Sequence, residues 1–178
     1  MFEEADFERR LIAVDWSAYQ RVGFGSIPNT VLGLLRAKPS ERPSWRDRLE
    51  LCLLPQATLV GGTSFAVPFL LELLRERVAS GEIYSVLVLV VICTEDDRSG
   101  ELGENCRERI RSGLDVYLRD LADVGLRIGV RSLALDLTCR LKEQRLTWEP
   151  VVRAVYKSEP SSAMRAEIRE WLDDETAL

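Results

Sequence analysis

Ile27-Pro28-Asn29-Thr30-Val31-Leu32-Gly33-Leu34-Leu35-Arg36 and Ala66-Val67-Pro68-Phe69-Leu70-Leu71-Glu72-Leu73-Leu74-Arg75 decide how this chain is read. In each, leucines and their apolar neighbours recur at three-four spacing, which puts them on one face of a helix. A proline stands at the front of each run. Proline suits the first helical turn, where its missing N–H has no partner to lose. Leu32–Arg36 and Leu71–Arg75 lie 39 residues apart, and Ile27-Pro28 and Val67-Pro68 lie 40 apart, so the two segments read as copies.

A period near 40 residues is that of stacked helix pairs of the HEAT and armadillo type. Each copy then needs a second helix. Residues 41–54 supply one, with Trp45, Leu49, Cys52 and Leu53 on one stripe and Arg42, Arg46 and Glu50 on the other. The second partner, residues 82–93, is rich in β-branched side chains and alone reads as a buried strand. Repeat context predicts a helix buried on all sides. Residues 103–123 form one long amphipathic helix ending before Gly125, and 127–144 pair with it. Residues 148–157, led by Pro150, and 161–173, capped by Ser161 or Ser162, form a last pair, and a short helix covers 4–14. The expected fold is all-α, a single domain over residues 1–178 built as a HEAT-like α-solenoid of about four antiparallel helix pairs.

Composition bounds the chemistry. The chain has 178 residues, 46% apolar and 30% charged, enough for a real core. It contains no histidine, which removes Ser-His-Asp, Cys-His and His-metal sites together. Ser17, Ser26 and the cysteines have neither a histidine base nor a lysine at Ser-x-x-Lys spacing. Cys52, Cys93, Cys106 and Cys139 form no C-x-x-C pair and read as reduced, mostly buried thiols. Gly61-Gly62-Thr63-Ser64 is not followed by Gly-Lys-Ser/Thr, so it is expected to be a connecting turn in which Thr63 or Ser64 caps the next helix. These features predict no enzyme, no cofactor and no metal. The start is acidic rather than cationic and then apolar, and the longest apolar stretch, Ile83 to Cys93, has 11 residues against the ~20 that span a bilayer. A cytoplasmic protein without a membrane segment is expected.

Charge is distributed in bands. Residues 1–15 carry −3, 16–80 carry +3, 81–105 carry −5, 106–157 carry +4 and 158–178 carry −4. The central acidic band holds Glu95, Asp96, Asp97, Glu101 and Glu104, whose spacing fits no EF-hand and reads as an inter-repeat loop or a protein-binding patch. Trp45, Trp148 and Trp171 fall on core stripes. Trp16, Tyr19 and Phe24 lie in a Gly-bearing stretch, residues 15–26, that serves either as a lid over the end of the stack or as apolar anchors for a partner.

Ser26-Ile27-Pro28 followed by Leu32 and Leu34-Leu35, then Gly62-Thr63 and Ala66-Val67-Pro68-Phe69-Leu70 with Leu73-Leu74, resembles the N-terminal half of bacterial HEAT-like immunity proteins found beside secreted polymorphic toxins. Trp16 and Tyr19 stand where that family tends to carry aromatics. Leu54-Pro55-Gln56 and Gly62-Thr63 stand near the place where the family often has His-Gln-Gly-Thr. The resemblance implies a protein that binds a cognate toxin domain and occludes its active site. A net charge of −5 favours a basic toxin, such as a nuclease, and disfavours nucleic acid as the partner. The expected contacts are Glu95, Asp96, Asp97, Glu101 and Glu104 as the charged set and Trp16, Tyr19 and Phe24 as the apolar one. Two alternatives stand beside this reading: a HEAT-like nucleic-acid-binding protein using Arg42, Arg46, Arg48, Arg131 and Arg140, and an adaptor scaffold for another complex.

Overall fold

Three-four apolar spacing becomes helix throughout. The computed structural model describes residues 2–18 and 25–173, apart from the side chains of Ala18 and Asp97, and among them it has ten α-helices, four short 3-10 turns and no strand. The helices are α1 (Glu4–Ala13), α2 (Ile27–Arg36), α3 (Arg42–Leu53), α4 (Gly61–Arg75), α5 (Ser80–Thr94), α6 (Gly100–Arg111), α7 (Leu114–Ala122), α8 (Ile128–Arg140), α9 (Arg145–Ser158) and α10 (Ser162–Asp173). They gather into two compact units, Met1–Ile110 and Arg111–Leu178.

In the first unit α2 packs on α3 and α4 on α5, while α2 also meets α4 and α3 meets α5. The start of α2 follows its sequence: the Asn29 N–H donates to Ser26 Oγ (3.4 Å), and Pro28 sits in the first turn. Gly33 lets α3 come close, since a Cβ there would lie 2.3 Å from the Trp45 ring. The β-branched run of α5 is helical because most of its circumference is covered: Ile83, Tyr84, Val86, Leu87, Val88, Val90 and Val91 are buried, while Ser85 and Leu89 are half-buried and Ile92 is exposed, so the helix is not buried on all sides. Tertiary burial outweighs the small intrinsic preference of such residues for strands.

Three local expectations are corrected. The segment Gly61–Ser64 is not a connecting turn but the first turn of α4, and Pro68 lies inside that helix. Thr63 explains the early start: its hydroxyl accepts from the Val60 N–H (3.2 Å) and donates to the Leu53 carbonyl (2.7 Å), tying the beginning of α4 to the end of α3. Pro68 costs the helix a backbone hydrogen bond, which the burial of Ala66, Val67, Leu70 and Leu71 around it offsets. Pro150 likewise lies inside α9 rather than at its front. The helix expected over 103–123 is two helices, broken at Ser112-Gly113, where the low helix propensity of glycine permits the chain to turn.

Trp16 is corrected as well. It is 4% exposed, its indole N–H donates to the Leu11 carbonyl (2.7 Å), and its ring lies 6.5 Å from that of Phe69, which in turn meets Phe7 edge-on at 5.6 Å. A side chain so enclosed packs α1 against α4 and is not an exposed anchor. Tyr19 and Phe24 lie outside the described residues.

The second unit repeats the pattern of pairs. α7 packs on α8 and α9 on α10, with α7 also against α9 and α8 against α10. Trp148 is fully buried and donates its indole N–H to the Leu141 carbonyl (3.0 Å). Ser161 caps α10 by accepting the Met164 N–H (3.3 Å). At the heart of the unit Arg131 of α8 forms a two-pronged salt bridge with Glu159, which follows α9. Arg131 Nε also donates to the Leu121 carbonyl (2.8 Å), and Glu159 accepts the Ser161 N–H (3.0 Å), so one buried ion pair joins α7, α8 and the α9–α10 turn.

Candidate partner-binding surface

The central acidic band folds into the corner between α5 and α6. Glu95 ends α5, Asp97–Ser99 make a 3-10 turn, and Gly100, at φ +51°, opens α6 in a backbone conformation that side chains with a Cβ rarely adopt. The corner is wired internally. Ser99 Oγ donates to the Thr94 carbonyl (3.0 Å), the Ser99 N–H to the Asp96 carbonyl (2.8 Å), and Arg107 Nη1 to Thr94 Oγ1 (3.3 Å). A carboxylate presented here is held by a fixed scaffold.

The five acids of the band are not equivalent. Asp96 caps the 3-10 turn, accepting the Arg98 N–H (2.9 Å) and the Arg98 guanidinium through Nε (3.0 Å) and Nη2 (2.6 Å). These bonds hold its carboxyl down to about 2, and the charge is already answered within the turn. Arg98 itself is 90% exposed and places a cation in the middle of the acidic band. Glu95, Glu101 and Glu104 are exposed, and Glu101 stands in the first turn of α6, where the helix dipole favours a negative charge. Asp97 occupies the 3-10 turn. The Asp96–Arg98 pair was readable only as an i,i+2 spacing, which carries no signal on a helix face and acquires one only in a turn.

Beneath the corner is a cavity of about 160 Å³ lined by Ala57, Thr58, Leu59, Cys93, Asp96 and Leu102, among others. Ala57 in this lining, like Gln56 before it, has unusual backbone, at φ +55°. The Cys93 thiol, half-buried in the lining, donates to the Ala57 carbonyl (3.4 Å). Burial first, then the Asp96 and Glu50 carboxylates, push its pKa up, so the thiol stays protonated and poorly nucleophilic. Burial likewise pushes Cys106 and Cys139 up to about 12. The cavity is below the range of roughly 300–1,000 Å³ typical of small-molecule pockets. Among the described residues no group of three or more Cys, Asp and Glu side chains is arranged to hold a metal ion.

The arginines of the nucleic-acid alternative stand in different settings: Arg42 is half-buried and Arg48 is exposed. Arg131 is buried against Glu159, Arg140 is paired with Asp136 (2.7 Å), Arg46 with Asp47 (2.5 Å), and Arg48 lies over the Trp45 ring at 4.7 Å. Of the tryptophans expected on core stripes, Trp148 is buried while Trp45 and Trp171 are half-buried.

Fold and surface together define an all-α protein assembled from packed helix pairs, in which no helix among the described residues is long and apolar enough to cross a membrane. No family model matches the chain, and no curated protein and no solved structure matches it.

Proposed function

We propose that this chain is an immunity protein: it binds a cognate secreted toxin domain in the cytoplasm and occludes the toxin's active site, with no chemistry of its own. The observation that carries the proposal is the alternation of helix contacts within each unit, α2 on α4 and α3 on α5 in the first, α7 on α9 and α8 on α10 in the second. Stacking of successive helix pairs in this manner is how HEAT-like solenoids bury their cores while leaving broad outer surfaces for protein recognition. The resemblance of residues 26–75 to immunity proteins of polymorphic toxin systems gives the partner its class.

The α5–α6 corner is the contact surface of this proposal. Glu95, Glu101 and Glu104 meet a cationic patch on the toxin, as charge complementarity speeds association and selects the partner. Asp96 serves the contact indirectly by fixing the turn. The test is co-expression with the toxin domain encoded beside the gene. The wild-type chain is expected to restore growth and to co-purify with the toxin. Absence of both protection and complex rejects the proposal; protection unchanged by Glu95→Lys, Glu101→Lys and Glu104→Lys together rejects the corner as its surface.

A further inference from the structure

The second unit carries a charged groove that the acidic corner does not explain. Along the seam between α9 and α10, Arg153 and Lys157 project from one helix and Arg165 and Arg169 from the other, around the half-buried ring of Tyr156. The seam holds two adjoining depressions of about 430 and 380 Å³ that share Tyr156, Lys157 and Arg169. Asp173, at one end, is the acid among their lining residues. Arg153 is paired with Glu149 (2.6 Å), a helical neighbour. Lys157 and Arg165 are exposed and have no salt-bridge partner among the described residues.

The cations are arranged, not merely numerous. Arg169 donates to the Tyr156 hydroxyl through both Nε (3.1 Å) and Nη2 (2.6 Å), and its guanidinium lies over the Tyr156 ring at 5.7 Å. A guanidinium fixed in this way keeps a donor directed outward at a small entropic cost on binding. Lys157 and Arg165 add mobile charge beside it. We propose that the α9–α10 groove is a docking site for an acidic segment of a partner polypeptide, whose carboxylates are received by Arg169, Arg165 and Lys157.

One feature favours a polypeptide over a nucleic acid: the aromatic ring lining the groove already has Arg169 over it, where a base would otherwise stack. The proposal does not rest on the immunity reading, since it concerns another unit and a partner segment of the opposite charge.

Fluorescence anisotropy of a labelled Glu- and Asp-rich decapeptide with the full chain at low ionic strength tests it. Saturable binding is expected, weakened about tenfold by the double variant K157E/R165E and progressively by added salt. R127E, which reverses an exposed cation elsewhere in the same unit, is expected to leave binding unchanged. All three substituted positions are solvent-exposed, and circular dichroism establishes that each variant folds. The proposal is overturned if the peptide does not bind saturably, if K157E/R165E binds as wild type, or if R127E weakens binding as much as K157E/R165E. Tighter binding of a single-stranded oligonucleotide than of the peptide also overturns it and assigns the groove to phosphate.

Discussion

Asp96–Arg98 in the first unit and Arg131–Glu159 in the second are both arginine–carboxylate pairs, yet they do different work. The first lies on an exposed turn in water, where screening leaves an ion pair little to contribute. The second is buried on both sides and each partner is further hydrogen-bonded to backbone, Arg131 to Leu121 and Glu159 to Ser161. There, either charge left alone is expensive. The same chemistry shapes a surface in one place and clamps helices in the other, and solvent decides which.

The largest expected effect comes from leaving half of the buried pair unanswered. Glu159→Ala should cost about 3–5 kcal/mol of stability, read by urea denaturation of the folded chain. Arg131→Met with Glu159→Leu should cost much less, because no charge is stranded; equal losses in the two variants would show that packing, rather than charge, is what the site contributes. The pair also sets an acid limit. Arg131 holds the Glu159 carboxyl below its ordinary value of 4.5, so its contribution is present above that value and is lost as pH falls through and below it. Melting temperature should therefore fall below about pH 4.5 more steeply in the wild type than in the double variant.

An intermediate case lies on the surface of the first unit. Arg10 of α1 reaches Glu72 of α4 with two hydrogen bonds, at 3.0 and 2.6 Å, in a half-exposed setting. Glu72→Gln should cost below about 1 kcal/mol, again by urea denaturation. Asp96→Asn should change stability least of the three, while loosening the corner enough to raise proteolytic cleavage between α5 and α6. Unchanged cleavage would mean that Ser99 and Arg107 alone hold the turn.

The contrast also shows why some of the molecule was readable in one dimension and some was not. Helix pairing was legible because Leu32, Leu35, Leu71 and Leu74 repeat at the period of the structure they build. α5 was legible through its context, since Val86–Ile92 taken alone fits a strand as well as a helix. The inner position of Pro68 and the early start of α4 were hidden because Thr63 finds its partner in Leu53, ten residues back, across a turn. Trp16 was misassigned for a related reason: an aromatic in a Gly-bearing stretch carries no mark of the Leu11 carbonyl and Phe69 ring that enclose it. In the acidic band the charges were readable but the neutralisation of Asp96 by Arg98 was not. The basic groove was invisible for a third reason, since Arg153 and Lys157 meet Arg165 and Arg169 only once α9 and α10 pack side by side.

The central claim is that the α5–α6 corner recognises a cationic protein partner. Growth of cells expressing the adjacent toxin domain, with either the wild-type chain or its Glu95→Lys, Glu101→Lys, Glu104→Lys variant, tests it most directly. The account predicts survival with the wild type and killing with the variant, whose circular dichroism matches the wild type. Killing in both cases, or survival in both, would contradict it.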